Sequence, residues 1–358
     1  MPIHEDDEMM HAEEVYTNAS WRKTILTLVL FLIVAALGLF AISIGASSLG
    51  MSESIRAIMA VFLPMDDVSH FAEVVVFQLR LPRILLAIIT GVSLGVAGAV
   101  MQGVLRNPLV SPFTLGLSSG AACGAALAIV LGVGILGTGQ YIIMINAFFF
   151  SLLTMVVVYA ISRIRGASIE TLILAGVAMG YLFSAVISLL QYASGNEQLR
   201  EIVFWLMGGL YAAKIENVMI LIPIVVILTM ILMRYSWDLN AMGAGEEVAS
   251  SLGINVKQVR MACLFLSTVL TASVIAFTGV IGFIGLVSPH ICRLLIGSDH
   301  RYLIPWSGLT GALLLLASDT ISRTMISPTE IPVGVVTSFL GVPFFLYLLV
   351  RRKRRWWQ

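Results

Sequence analysis

The sequence has few charged side chains for its length. Only 11% of its 358 residues are Asp, Glu, Lys or Arg, whereas 59% are hydrophobic. A soluble domain carries roughly a quarter charged residues, because water must wet its surface. The shortage therefore argues against an ordinary soluble globule and predicts that much of the surface faces lipid. The net charge of +1 also gives no electrostatic basis for binding nucleic acid.

Motifs for nucleotide and metal chemistry are missing as well. The sequence contains no G-x-x-x-x-G-K-[ST] phosphate-binding loop and no H-E-x-x-H motif. Its five histidines are scattered without metal-ligand spacing, and Cys123, Cys263 and Cys292 lie in apolar stretches without a C-x-x-C pair. These absences predict a chain that is not an enzyme, binds no metal ion and cannot hydrolyse ATP by itself.

Long apolar runs are what the sequence has in abundance. At 1.5 Å per helical residue, about 20 residues cross a bilayer. Runs of this kind lie near 24–44, 82–105, 114–135, 141–162, 171–192, 217–234, 258–275, 277–297, 302–318 and 331–350. The predicted fold is therefore all-α, a polytopic transmembrane helical bundle of about ten spans within one domain over 24–350. An acidic tail, 1–23, is predicted to be solvated and disordered, and a basic tail, 351–358, follows the last span.

The distribution of Lys and Arg predicts the orientation of this bundle. With both termini inside, only six of the 21 Lys and Arg residues fall in outer segments. These six are Arg56, Arg80, Arg83, Arg200, Lys214 and Arg323. Cytoplasmic segments carry the excess of positive charge in membrane proteins. We therefore predict a multi-pass protein of the cytoplasmic membrane with both termini in the cytoplasm.

Acidic residues are nearly absent from the predicted spans. Asp319 and Glu330 lie at predicted outer ends, and Glu170 lies at an inner end. A transporter driven by protons or sodium is expected to hold carboxylates or broken helices near the bilayer midplane. Their scarcity argues against that class, so the energy for transport is expected to come from a partner.

Arg80-Leu81-Pro82-Arg83 stands at the predicted outer mouth of the second span. Proline suits the first turn of a helix, so the two arginines are expected in outer solvent at a helix start. They could anchor the helix at the membrane interface by snorkelling. Alternatively, they could dock an acidic partner, because arginine presents a two-pronged fork to carboxylates.

The predicted cytoplasmic loop 236–257 contains a stretch too short to span the membrane. Residues 245–253 predict a short helix closed by Gly253 at its C-terminal cap. It could be an ordinary interfacial helix, or it could lie on a cytoplasmic partner and transmit that partner's movement.

Several dispersed segments together resemble one known family. The C-terminal third contributes 278–290, 299–301 and 330–334, and the remaining similar segments are 80–83, 98–102 and 107–109. Taken in order, they resemble the permease family of type II ABC importers for iron–siderophore, haem and cobalamin. The resemblance extends from about residue 24 onward and is far more specific for the family than for the substrate.

The resemblance implies a particular set of partners and site residues. Two permease copies would form a central pathway, each resting on a cytoplasmic ATPase that binds ATP and magnesium, and a soluble binding protein would deliver the substrate from outside. The permease itself would carry no cofactor and no catalytic residue. The implied binding-protein docking residues are Arg80, Arg83 and Arg323. The implied ATPase-coupling residues are Gly245, Glu246, Ala249, Leu252 and Gly253. The implied cytoplasmic gate is formed by Asn107 and Leu109, with Ser168 and Ile169 on its other side.

These expectations favour import of a ferric siderophore by alternating access, powered by the partner ATPase. Haem or cobalamin is the alternative within the family, because no segment reads as a selectivity signature. An ion-coupled secondary transporter and a non-transporting membrane scaffold are the alternatives from other classes.

Overall fold

A computed structural model describes residues 3–45, 49–60, 69–132, 140–164, 168–211, 213–327 and 329–350, and every helix or strand assigned within these ranges is a helix. The predicted basic tail, 351–358, lies outside the described residues. The all-helical fold class is thereby confirmed for the part of the chain that the structure describes.

The helices follow one another with short connections. The first half contains α1 (Ile3–Ser43), α2 (Met51–Met59), α3 (His70–Glu73), a π-helical segment (Val74–Arg80), α4 (Leu81–Val104), α5 (Leu117–Leu131), α6 (Gln140–Ile164) and α7 (Ile169–Ala193). The second half contains α8 (Asn196–Met207), α9 (Ile215–Arg234), α10 (Ser236–Ala244), α11 (Glu246–Ser251), α12 (Val256–Thr278), α13 (Ile284–Ile296), α14 (His300–Thr324) and α15 (Val333–Val350).

Each predicted span coincides with a helix. Among the described residues, seven helices are long and apolar enough to cross a membrane, and Leu117–Leu131, Ile284–Ile296 and Val333–Tyr347 are shorter apolar helices. The shorter three fall on the remaining predicted runs. The break predicted at Thr278-Gly279 is also present, because α12 ends at Thr278 and Gly279 has a φ of +67°. The exact number of spans and the side on which the termini lie stay predictions.

The expected disorder of the N-terminal tail is wrong for the described backbone. A single helix runs from Ile3 to Ser43, so residues 3–23 continue the first apolar span without a break. Extending an existing helix needs no new nucleation, and the tail is rich in Glu, Met and Ala, which favour helix. The acidic composition therefore predicted solvation but not the absence of structure.

Pro82 lies in the first turn of α4 as predicted, but the helix does not begin there. Helix runs continuously from His70 through the π-helical segment into α4, and the Leu81 N–H donates to the carbonyl of Val76, five residues earlier. A proline inside a helix lacks a donor and crowds the preceding turn. The wider π-helical turn directly before Pro82 relieves that crowding. The proline thus marks an irregularity within a long helix rather than its beginning.

Helix α4 lies at the centre of the bundle and touches its neighbours through glycine. A Cβ atom added at Gly95 would lie 2.0 Å from the carbonyl oxygen of Ser307 in α14, and one at Gly91 would lie 2.4 Å from that of Gly311. Lipid does not drive helices together, so close backbone contact between small residues must supply the association. Gly91 and Gly95 therefore form the face through which α4 packs against α14.

Two glycine-rich stretches match the serine-hydrolase pattern G-x-S-x-G by chance, at 91–95 and 116–120. That pattern needs its serine on a sharp turn between a strand and a helix. Ser93 instead lies inside α4, where its hydroxyl donates to the carbonyl of Ile89 at 2.8 Å. Ser118 is buried in the first turn of α5. Neither serine is placed to act as a nucleophile.

Candidate functional site

The predicted outer end of the bundle holds a buried cluster of charges. Arg83 donates from Nε to Asp319 Oδ1 at 2.9 Å and from Nη1 to Glu330 Oε2 at 2.8 Å. Arg323 Nε lies 3.0 Å from the other oxygen of Asp319, whose side chain is 0% exposed. We call Arg83, Asp319, Arg323 and Glu330 the outer charge cluster. It joins α4 to α14 and to the segment that precedes α15.

Arg80 and Arg323 also close the C-terminal end of α1. Arg80 Nη1 donates to the carbonyl of Ile42 at 2.6 Å and to Ser54 Oγ at 3.0 Å. Arg323 donates to the carbonyl of Ile44 at 3.2 Å. The last carbonyls of a helix lack intrahelical partners and attract cations, so two arginines satisfy this helix end.

The expectation that Arg80 and Arg83 stand in outer solvent is wrong. Arg80 and Arg323 are each 4% exposed, and Arg83 is bound to two carboxylates. The arginines were predicted to face solvent because their partners are distant in the sequence. Asp319, for example, follows Arg83 by 236 residues. Their role in docking a binding protein stays a prediction. In this structure, docking would require Arg83 to exchange an internal carboxylate for an external one.

The helix predicted in the loop 236–257 is present and is closed as expected. Gly253 has a φ of +83°, its N–H donates to the carbonyl of Ser250 at 3.0 Å, and the next N–H donates to that of Ala249. This is the left-handed cap that glycine favours. The loop also contains a second helix, α10, which ends where Gly245 adopts a φ of +142°.

Helix α11 presents one face to the bundle and another to solvent. Ala249 is fully buried, and Glu246 is paired with Arg260 of α12. Leu252, directly after α11, is 68% exposed and the side chain of Val248 is exposed beside it. The exposed apolar surface of α11 is thus tied to α12 by the ion pair between Glu246 and Arg260. Such a surface suits contact with a partner whose movement is passed on to α12.

The residues predicted as the cytoplasmic gate lie in the loop after α4 and at the start of α7. Asn107 Oδ1 accepts from the Leu109 N–H at 2.9 Å, which shapes the loop after α4. Ser168 caps α7 by accepting from the Thr171 N–H at 3.2 Å, and Ile169 is the first residue of that helix. No hydrogen bond between described residues joins the two pairs, so their joint role as a gate stays a prediction.

A polar network beneath this loop was missed by sequence reasoning. Gln102 is fully buried; its Nε2 donates to the carbonyl of Val110 at 3.1 Å. Its Oε1 accepts from Nη2 of Arg293 in α13. The sequence contained a partial signal, because Gln102 belongs to one of the segments of family resemblance. The position of Arg293 next to it could not be read from the chain, since 191 residues separate the two.

Further contacts extend to α10 in the loop 236–257. Asn240 of α10 contacts His300 Nδ1 at 2.9 Å and donates to Asp299 Oδ1 at 2.8 Å. The other ring nitrogen of His300 lies against Gly103, where an added Cβ would approach it to 2.3 Å. Contacts therefore run without interruption from α10, through the start of α14, to the end of α4.

Asp299 is the charged anchor of this network. Burial by itself would raise the pKa of its carboxyl, but hydrogen bonds from Arg301 and Asn240 and the charge of Arg301 lower that pKa to about 2. The Arg301 guanidinium lies 2.6 Å away, Nη2 to Oδ2. Asp299 is therefore ionised at physiological pH and holds Asn240 with a charge-assisted hydrogen bond.

A large apolar cavity opens beside the loop after α4. Its volume is about 810 Å³. Its lining comes from the segment before α5, the end of α8, the connection into α13, and α15: Ser111, Phe113, Leu206, Met207, Val280, Gly282, Phe283, Leu286, Gly334, Val335, Ser338, Phe339, Val342 and Pro343. None of the described residues that line it carries a charge. Such a wall can contact a bulky solute without holding it tightly.

Comparison with known proteins agrees with this architecture. The model of the FecCD transport family matches residues 24–351. The hemin transport system permease protein of Yersinia pestis is 37% identical, over 78% of this chain and 84% of that protein. The cobalamin import system permease protein of Halobacterium salinarum is 40% identical, over 80% of this chain and 76% of that protein.

A solved structure has the same fold. It shows an inward-facing conformation of a transporter assigned to the metal-chelate ABC type, and it superposes with a TM-score of 0.80 at 34% identity, covering 92% of this chain and 100% of the other. These similarities favour an ABC importer permease over an ion-coupled transporter or a membrane scaffold. The chain is a polytopic protein of the cell membrane, and it belongs to the FecCD transport family.

Proposed function

We propose that this permease imports a ferric siderophore, working as a pair of identical copies with two ATPase subunits and a soluble binding protein. The permease supplies the pathway, the ATPases bind ATP with magnesium, and the binding protein supplies affinity. ATP binding draws the ATPases together, the coupling helices follow them, and the pathway opens to one side and then to the other.

The apolar cavity is the observation that carries this proposal. Phe339, on the α15 side of the cavity, is 77% exposed, so the cavity is open at a face that a second copy could cover. A wall without charge gives a bulky chelate weak and unspecific contacts, and weak contacts allow release. Haem and cobalamin are also bulky chelates, so the same wall would pass either of them. They remain the alternatives to a siderophore.

Reconstituted vesicles test the function directly. The permease is assembled with an ATPase and a binding protein of this transporter class, and uptake of a ferric hydroxamate, haemin and cyanocobalamin is measured with ATP present. We expect uptake of the ferric hydroxamate to stop without ATP. Uptake that continues under an ion gradient alone would contradict the mechanism, and ATP-dependent uptake of only haemin or cyanocobalamin would replace the siderophore as the substrate.

If the binding protein replaces an internal carboxylate at Arg83, then removing that internal carboxylate should increase the affinity for the binding protein. If Arg83 binds a carboxylate of the binding protein in place of Glu330, then Glu330→Gln should strengthen docking about three- to tenfold, because it removes the internal competitor. The dissociation constant of the binding protein is measured for both proteins at two salt concentrations.

Glu201→Gln provides the control, because it removes an exposed negative charge of a predicted outer segment that lies outside the outer charge cluster. An equal gain in the two variants would indicate general electrostatics. Unchanged affinity in Glu330→Gln would argue that Arg83 does not dock the binding protein.

A further inference from the structure

A second cavity lies at the opposite end of the bundle from the outer charge cluster, where α6 ends and α7 and α12 begin. Its volume is about 360 Å³. It is lined by Tyr159, Arg163, Leu172, Lys257, Gln258, Arg260 and Met261. Three of these side chains are cationic and none is acidic. We call it the basic cavity; none of its described lining residues belongs to the large apolar cavity or to the predicted gate.

Arg260 contributes a buried cation to the lining of this cavity. Its side chain is buried, and its Nη2 is paired with Glu246 of α11. Its Nε is also buried and has no hydrogen-bond partner among the described residues. Burial of the guanidinium costs solvation free energy, and an anion in the adjacent cavity would stabilise its positive charge. Arg163 and Lys257 are exposed at the rim and add positive charge.

The surface next to the cavity is apolar and open. Lys257, Met261 and Phe265 are spaced by four residues along α12, so they lie on one face of that helix. Lys257 stands at the helix end, while Met261 and Phe265 are exposed further along it. A cationic pocket that continues into an exposed apolar helix face matches a molecule with a phosphate head and acyl chains better than it matches a free anion.

The predicted orientation places this end of the bundle at the cytoplasmic leaflet, where anionic lipids meet basic segments. We propose that the basic cavity binds the phosphate of an anionic phospholipid. Arg163, Lys257 and Arg260 contact the phosphate, and Met261 and Phe265 contact an acyl chain. Because Arg260 also holds Glu246, the bound headgroup fixes α11 against α12 and so links lipid composition to the coupling loop.

Lipid retention by the purified chain tests this inference without ATPase, binding protein or substrate, so its failure is separable from a failure of the proposed function. Delipidated protein is titrated with phosphatidylglycerol or phosphatidylcholine and analysed by native mass spectrometry. We expect selective binding of phosphatidylglycerol. The double variant Arg163→Gln, Lys257→Gln should weaken it about tenfold or more, because each surface cation contributes to the attraction.

Two further variants make the result interpretable. Arg234→Gln removes an exposed cation at the end of α9, outside the cavity, and should leave binding unchanged. Lys257→Arg keeps the charge and should retain most of the affinity. Equal binding of the two lipids, or an equal loss in Arg234→Gln, would overturn the proposal. Displacement of phosphatidylglycerol by millimolar inorganic phosphate would also overturn it, because the cavity would then be a site for a soluble anion.

Discussion

Replacing Asp319 by Ala is expected to destabilise the protein by about 3–5 kcal/mol, because the change leaves two buried arginines without their shared partner. Asp319 binds Arg83 at 2.9 Å and Arg323 at 3.0 Å, and its side chain is fully buried. A paired buried charge is tolerated, whereas an unpaired one is costly. Thermal unfolding of the detergent-solubilised protein and its yield in membranes measure the loss.

Glu330→Gln is the matched control for this prediction. Glu330 contacts only Arg83 within the outer charge cluster and is partly exposed, so its loss should cost much less than the loss of Asp319. Adding Arg323→Met to Asp319→Ala should recover part of the stability, because Arg323 is the arginine that loses its carboxylate partner, whereas Arg83 keeps Glu330. Equal stability of Asp319→Ala and the unchanged protein would mean that the cluster does not hold these helices together.

Replacing Leu252 by Asp is expected to reduce ATP-driven uptake at least tenfold while the permease still folds. Leu252 is 68% exposed directly after α11, so the substitution disturbs no internal packing. A charge in the middle of an apolar contact with the ATPase must be desolvated when the two proteins meet. Co-purification of the ATPase and uptake by reconstituted vesicles measure the effect.

Met325→Asp is the matched control, because it also replaces an exposed apolar side chain by Asp but at a different position. Met325 is 71% exposed at the end of α14, next to the outer charge cluster. It should leave ATPase co-purification intact. If Leu252→Asp retains the ATPase as well as the unchanged protein does, or if both variants lose it equally, the assignment of α11 as the coupling helix is wrong.

Features that repeat along the chain could be predicted without a structure. The apolar runs located the helices, because a segment that faces lipid must satisfy its backbone internally and can only do so as a helix. Gly253 marked a helix end. These are local properties, since they depend on residues within a few turns of one another.

Features that depend on distant partners could not be predicted. Arg80 and Arg83 were predicted to face solvent beside a proline, yet Arg80 is buried and Arg83 is largely covered and paired with two carboxylates. Arg83 finds Asp319 only because α4 and α14 pack together through glycines that remove the space between their backbones. The contact from Asn240 to His300 likewise joins segments that are 60 residues apart.

By itself, then, the sequence determined that this protein crosses the membrane as a helical bundle, lacks an ATPase motif and resembles a family of importer permeases. Only the tertiary structure decided which charges are buried, which helix face remains open to a partner and which polar groups connect α10 to the loop after α4. The physical reason is that hydrophobicity and helix capping act over short stretches of chain. The partner of a buried charge, in contrast, is chosen by helix packing across the whole bundle.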